Sequence, residues 1–139
     1  MFLPLLAAAL LAACVWRSGV LRPYLTFIWH CFIRPLGKIG DQKARLDEFY
    51  AGQASVYDST RNALLRGRKT MLSLSAAHLK SMRKNSTNQR LVWVDIGGGT
   101  GHNIELMDSF MPIAEFDAIY LIDLCEPLLQ VARKRFASM

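Results

Sequence analysis

Apolar residues in the last third of the chain alternate between strand-like and helix-like spacing. Four consecutive apolar residues at 91–94 are typical of a strand that is covered on both faces of a parallel sheet. A second strand is predicted over 117–124, where β-favouring residues again predominate. Leu128, Ala132 and Phe136 then recur every four residues and predict a helix with one buried face. The pattern indicates an α/β unit.

The middle of the chain shows helical spacing with polar interruptions. Apolar side chains within 46–50 lie at i, i+3 and i+4, and Asp41 is suited to cap the start of that helix. The segment 58–60 predicts a second cap, ahead of a helix that carries the leucines at 64–65. Gly67 is expected to interrupt or end that second helix.

The first forty residues form a hydrophobic region of a different kind. Residues 2–16 carry no charge, and a second apolar stretch covers 24–33. Each stretch is shorter than the roughly 20 residues with which a helix crosses a bilayer. Together they predict either one imperfect span or an inserted segment followed by an interfacial one that carries Tyr24 and Trp29. We therefore predict a membrane anchor in residues 1–40.

Charge in this leader favours the same interpretation. Arg17, Arg22, Arg34 and Lys38 all precede the first acidic residue, Asp41. Basic residues beside an apolar segment are attracted to anionic headgroups and predict that the following region faces the cytosol.

Two alternatives to a retained anchor remain open. A secretory signal peptide would explain the alanine-rich start, and residues 11–14 resemble a lipoprotein cleavage box. A signal peptide needs a positively charged beginning, however, and Arg17 is the first basic residue of the chain. A helix buried in a soluble protein is the other alternative.

The net charge of +6 is unevenly distributed. Residues 41–90 contain ten basic and four acidic residues, whereas residues 91–139 contain three basic and seven acidic ones. The basic stretch at 61–90 has no aromatic residue on which a base could stack, so the charge favours a membrane surface over nucleic acid as partner. The three cysteines and three histidines show no metal-ligand spacing, and we expect neither a metal site nor a disulfide framework.

Glycines cluster after the first predicted strand. Gly97, Gly99 and Gly101 are spaced as G-x-G-x-G, whereas a dinucleotide fingerprint requires G-x-G-x-x-G and a P-loop requires a following lysine. With Asp95, the pattern V-D-x-G-x-G-x-G resembles the first motif of class I S-adenosylmethionine-dependent methyltransferases. Asp123 ends the second predicted strand, where an acidic side chain in such units accepts hydrogen bonds from ribose hydroxyls. The alternative is a turn that serves only packing, with Asp123 as a simple turn residue.

A longer motif upstream makes the resemblance more specific. The pattern FYxxQAxxYDxTRxxLLxGR over residues 49–68 precedes VDIGGGTGxNIExM over 94–107. Together they resemble the methyltransferase half of betaine lipid synthases, which convert diacylglycerol to diacylglyceryl-N,N,N-trimethylhomoserine. In fungal members of that family this half comes first, after a hydrophobic leader. The likeness covers about residues 47–130.

The resemblance implies S-adenosylmethionine as cofactor and assigns residues to it. Gly97, Gly99 and Gly101 would let the backbone approach its methionine portion. Asp95 would bind its amino group, directly or through water, and Asp123 would take its ribose hydroxyls. A merely structural role for Asp95, as a cap for the helix after the turn, is the alternative.

Three residues of the upstream motif are further candidates. Tyr57 and Arg61 would close over the cofactor or orient its carboxylate, and Arg68 is a third candidate for the same task. A structural stacking pair is the alternative for Tyr57 and Arg61. The sequence identifies no general base and hence no catalytic residue.

The expected architecture is α/β: a partial Rossmann-like class I methyltransferase fold with its first two strands only, preceded by helices and a hydrophobic membrane segment. The regions are an anchor over 1–40, a helical linker or lid over 41–90 and an incomplete S-adenosylmethionine-binding domain over 91–139. Because the chain ends inside the predicted last helix, we expect a truncated form or an incomplete gene model that is inactive by itself.

The function implied by the resemblance is N-methylation of the membrane lipid diacylglycerylhomoserine, at the endoplasmic reticulum with the methyltransferase part facing the cytosol. Two alternatives stay open: a class I methyltransferase that acts on a quinone or small molecule, and a non-catalytic membrane-attached polypeptide. The sequence does not indicate the oligomeric state.

Overall fold

The computed structural model describes residues 13–35, 37, 40–62, 64–85 and 90–137. Residues 13–17 are helical. The elements that follow are α1 (Arg22–Ile28), a π-helical turn (Trp29–Ile33), α2 (Gln42–Ala51), a 3₁₀ turn (Ala54–Val56), α3 (Tyr57–Arg61), α4 (Arg68–Asn85), β1 (Val92–Ile96), α5 (His102–Asp108), a second 3₁₀ turn (Ile113–Glu115), β2 (Ala118–Ile122) and α6 (Glu126–Phe136).

In the described part of the chain, β1 and β2 form a two-stranded parallel sheet connected through α5. The register pairs Val92 with Ala118 and Ile96 with Ile122. Parallel strands need such a crossover connection, because a tight hairpin can join only antiparallel neighbours. The α/β prediction is confirmed, and both strands lie within the predicted ranges apart from a two-residue extension of β1 at its carboxyl end.

The main hydrophobic cluster lies between α4 and α5. Leu72 and Ala76 of α4 are buried against Met107 and Met111, and Trp93 of β1 packs beside them. Each large side chain that is fully buried in this way contributes about 1.5–3 kcal/mol to stability. The segment before β1 is therefore part of the packed core around the crossover helix.

A second cluster joins the upstream helices to the carboxyl end of the sheet. Cys125 and Leu128 are buried against Ala54, and Tyr50 and Tyr57 pack around them. The backbone N–H of Glu126 also donates to the Asp47 carboxylate at 2.9 Å. These contacts place α2 and α3 beside the segment that follows β2.

The prediction that β1 is covered on both faces is wrong for the described residues. Val92, Val94 and Ile96 are exposed, Ile96 to 80 %, and so are Tyr120 and Ile122 on the same face of β2. The helices α4 and α5 pack on the opposite face, which carries Trp93. The apolar run correctly predicted a strand, but helices cover only one face of that strand.

Of the two helix caps that the sequence predicts, the one at Asp41 is confirmed and the one at 58–60 is wrong. Asp41 caps α2, since its Oδ1 accepts from the Ala44 N–H at 2.6 Å. Asp58 is not a cap, because α3 begins at Tyr57 and the Asp58 carboxylate binds elsewhere. The predicted second helix does not carry residues 64–65, which follow α3 and are exposed. The last helix is as predicted, with Leu128 and Ala132 buried in α6.

Fifteen positions of the predicted membrane anchor, 1–12, 36, 38 and 39, lie outside the described part of the chain, and Lys38 is among them. Within the part that is described, no helix has both the length and the hydropathy needed to cross a bilayer.

Candidate functional site

The turn between β1 and α5 is built by glycine backbone geometry. Gly97, Gly99 and Gly101 have φ values of +72°, +54° and +72°, in the left-handed region that side chains with a Cβ rarely adopt. A Cβ at Gly98 would lie 2.3 Å from Leu121 Cδ1 and 2.8 Å from Asp95 Oδ2. The turn therefore needs glycine at 97, 99 and 101 for its backbone conformation. It also needs glycine at 98 for close packing, a role that the G-x-G-x-G pattern does not predict.

Asp123 follows β2 and holds the turn in place. Its Oδ2 accepts from the Gly99 N–H at 2.8 Å, and its Oδ1 accepts from the Cys125 N–H at 2.7 Å. A carboxylate has about four acceptor positions, so two remain for further donors. The side chain is thus fixed at the carboxyl end of the sheet with unused acceptor capacity.

Asp95 lies near the end of β1, in a half-buried position. The Asn103 side-chain amide donates to its Oδ2 at 3.4 Å. Burial raises the pKa of Asp95, while the Asn103 hydrogen bond and the positive charge of Arg68 act in the opposite direction. This carboxylate is an acceptor whose ionised form is poorly solvated, so a cationic group close to it would be favoured.

The upstream candidates occupy two different places. Tyr57 lines the cavity described below, and its ring meets that of Tyr50 edge-on with centroids 5.7 Å apart. Arg68 also lines the cavity. The Arg61 guanidinium lies over two rings, 4.6 Å from the centroid of Phe27 and 5.2 Å from that of Tyr57. Tyr57 and Arg68 therefore face the cavity together, and Arg61 links Tyr57 to α1.

A cavity of about 400 Å³ opens over the glycine turn. It is lined by residues 96–100 and by Asp123 and Leu128. Tyr50 and Tyr57 also line it, and both pack against the cluster that contains Leu128. The volume falls within the range of about 300–1,000 Å³ for small-molecule sites, and the wall combines apolar side chains with a few polar groups.

Sequence reasoning missed a polar network beneath the turn. Asp58 Oδ1 accepts from the Thr100 hydroxyl at 2.6 Å, and its Oδ2 pairs with the Arg135 guanidinium. Arg135 also donates to the Thr100 carbonyl oxygen, and its Nε lies 3.3 Å from Glu105 Oε2. Thr100 is 2 % exposed, so its hydroxyl depends on Asp58 for its hydrogen bond. The network ties α3, the turn and α6 together.

His102 extends this network toward α3. Its Nδ1 lies 3.0 Å from Glu105 Oε2, and its Nε2 lies 3.0 Å from Asn62 Oδ1. Asp58 belongs to the upstream motif, next to Tyr57, but nothing in the sequence pairs it with Thr100 or Arg135.

Comparisons with protein-family models, curated proteins and solved structures found no match to this chain.

Proposed function

We propose that this chain binds S-adenosylmethionine at the glycine turn and belongs to an N-methyltransferase of class I fold that acts on diacylglycerylhomoserine. The observation that supports cofactor binding most strongly is the junction of the turn with Asp123. Glycine backbone and a fixed carboxylate meet at the carboxyl ends of two parallel strands, where nucleotide-like ligands bind in open α/β sheets. The lipid substrate rests on the likeness of the two motifs to betaine lipid synthases.

The residues around the cavity fit this cofactor chemically. A side chain at Gly98 would collide with Asp95 and Leu121, so glycine there lets the turn pack on the sheet, whereas Gly97 lines the cavity with open space where a Cβ would stand. Asp123 has acceptor positions to spare for two ribose hydroxyls. Arg68, which lines the cavity, suits a carboxylate. Asp95 suits an ammonium group, but it lines a second cavity beside Trp93, and Asn103 is shared by both cavities.

When bound, S-adenosylmethionine would supply an electrophilic methyl group to the lipid amine. The task of the chain is then to hold the reactants in line and to exclude water. Tyr50 and Tyr57 form the apolar side of the cavity and would shield the reacting centre. The amine must be uncharged to react, and the described residues that line the cavity do not single out a general base.

Cofactor binding is tested by equilibrium dialysis of the purified chain against labelled S-adenosylmethionine. Saturable binding at one site, displaced by S-adenosylhomocysteine, is the expected result. Binding that does not saturate would overturn the proposal.

Methyl transfer is tested with the native protein, captured from membranes with an antibody to residues 41–60. The sample is incubated with methyl-labelled cofactor and vesicles that contain diacylglycerylhomoserine. Label in the homoserine lipid is expected. Label in a quinone or a water-soluble metabolite instead would overturn the lipid assignment, and intact binding without transfer would favour the non-catalytic alternative.

Asp95→Asn is expected to weaken cofactor binding by about tenfold without destabilising the chain. The ligand ammonium loses a charged partner, whereas the protein loses a carboxylate whose ionisation burial disfavours. The raised pKa of Asp95 means that the wild-type protein loses stability as pH rises through that pKa. The variant should therefore gain in relative melting temperature at neutral pH, and the difference should vanish in acid. Thermal unfolding across pH, together with dialysis, checks both effects.

A further inference from the structure

The helical segment 22–33 packs on the rest of the protein through its less apolar face. Phe27 lies under the Arg61 guanidinium, and Cys31 Sγ donates to Gln53 Oε1 at 3.5 Å. The ring of His30 comes so close to Gly52 that a Cβ there would overlap it. Positions 27, 30 and 31 share one side of a helix, so this side faces the protein.

The opposite side of the same segment is apolar and exposed. Leu25, Ile28, Trp29 and Phe32 have between 45 % and 77 % of their surface accessible, and they recur at helical spacing. A surface helix in water normally turns such a stripe toward the core. Here the packing is inverted, which indicates that the stripe meets an apolar medium.

Charge near the stripe selects the medium. Arg17 and Arg22 are exposed, and the chain has no acidic residue before Asp41. Tyr24 is also exposed, as is common for aromatic side chains at the boundary between headgroups and acyl chains. A second protein copy would not require this one-signed charge, whereas an anionic lipid surface attracts it.

We propose that Leu25, Ile28, Trp29 and Phe32, with Arg17 and Arg22 beside them, form a docking surface for an anionic phospholipid bilayer. The apolar stripe enters the headgroup and acyl boundary, and the arginines bind lipid phosphates. This proposal does not rest on methyl transfer or on the cofactor.

The test is flotation of the full chain with vesicles of phosphatidylcholine and phosphatidylserine. Replacing both Trp29 and Phe32 by glutamate should lower the partition coefficient by at least about tenfold. The matched control, Leu64→Glu with Leu74→Glu, places the same charges at exposed leucines elsewhere and should bind as the wild type does. Vesicles of phosphatidylcholine alone should bind about tenfold more weakly.

Brominated lipids give an independent readout, because bromine quenches tryptophan fluorescence in the acyl region. The fluorescence that the wild type has in excess of Trp29→Phe comes from Trp29 and should be strongly quenched. The fluorescence that the wild type has in excess of Trp93→Phe comes from Trp93 and should not be quenched, since Trp93 packs in the core. Unchanged flotation of the double glutamate variant would overturn the proposal. The proposal would also be overturned if Trp29 fluorescence were not quenched. It would equally be overturned if the wild type were a dimer in solution that the Trp29→Glu, Phe32→Glu variant, but not the control, dissociated.

Discussion

Cofactor affinity is expected to fall by about 100-fold or more when Asp123 is replaced by alanine. The proposed ribose contact would use the two acceptor positions of the carboxylate that remain beside its two backbone N–H bonds, and each charge-assisted hydrogen bond contributes about 1.5–3 kcal/mol. The change also removes the acceptor of the Gly99 and Cys125 N–H groups, so the turn keeps only its backbone hydrogen bonds to Ile122 at the end of β2. Equilibrium dialysis with labelled S-adenosylmethionine measures the loss.

Two variants separate the ribose contact from a general loss of charge. Glu126→Ala removes a nearby carboxylate that pairs with Arg133, and it should leave affinity unchanged. Asp123→Asn keeps one acceptor oxygen and should fall between the wild type and Asp123→Ala. If Asp123→Ala bound S-adenosylmethionine as tightly as the wild type does, the proposal that Asp123 binds the ribose hydroxyls would be wrong.

Asp58→Ala should loosen the glycine turn, although Asp58 lies about forty residues upstream of it. Thr100 loses the partner of its buried hydroxyl, and Arg135 loses a carboxylate within a largely buried pair. Leaving the Thr100 hydroxyl unpaired and removing one of several partners of Arg135 costs about 1.5–3 kcal/mol, which corresponds to amide exchange about 10- to 150-fold faster. Hydrogen exchange at the Gly101 and Ile104 amides, which donate within the turn and the first turn of α5, reports the change.

A double-mutant cycle assigns the effect to the network. Asp58→Ala and Arg135→Gln together should cost less than the sum of the two single changes, because each already breaks the same ion pair. Asp41→Ala is the matched control: it removes the cap of α2 and should accelerate exchange there while sparing the turn. Strict additivity of the two changes, or an unaltered turn in Asp58→Ala, would contradict the role of the network.

The parts of the fold that sequence predicted are local. The glycine turn, Asp123 and α6 lie within about forty consecutive residues, and their spacing alone limits what the backbone can do. The same holds for Asp41, whose capping bond spans three residues. Patterns of this range predict structure well because the interacting groups belong to one element or to two neighbouring ones.

The rest depends on contacts between distant parts of the chain. Asp58 meets Thr100 across 42 residues and Arg135 across 77, and a single sequence holds no signal for such a pairing. The segment Asp58-Ser59-Thr60 is equally compatible with a helix cap, and a cap is what the sequence predicted there. Whether a face of β1 is exposed likewise depends on which helices pack on the sheet, and a run of apolar residues does not predict that.

Arg61 has a consequence for the energetics of the whole molecule. Its guanidinium lies over Phe27, on the helix that carries the docking surface, and over Tyr57, in the cavity wall. A bilayer that displaces Phe27 would therefore act through Arg61 on Tyr57, in the wall of the proposed cofactor cavity. Thermodynamic linkage then requires reciprocity: the factor by which vesicles alter cofactor affinity equals the factor by which cofactor alters vesicle affinity.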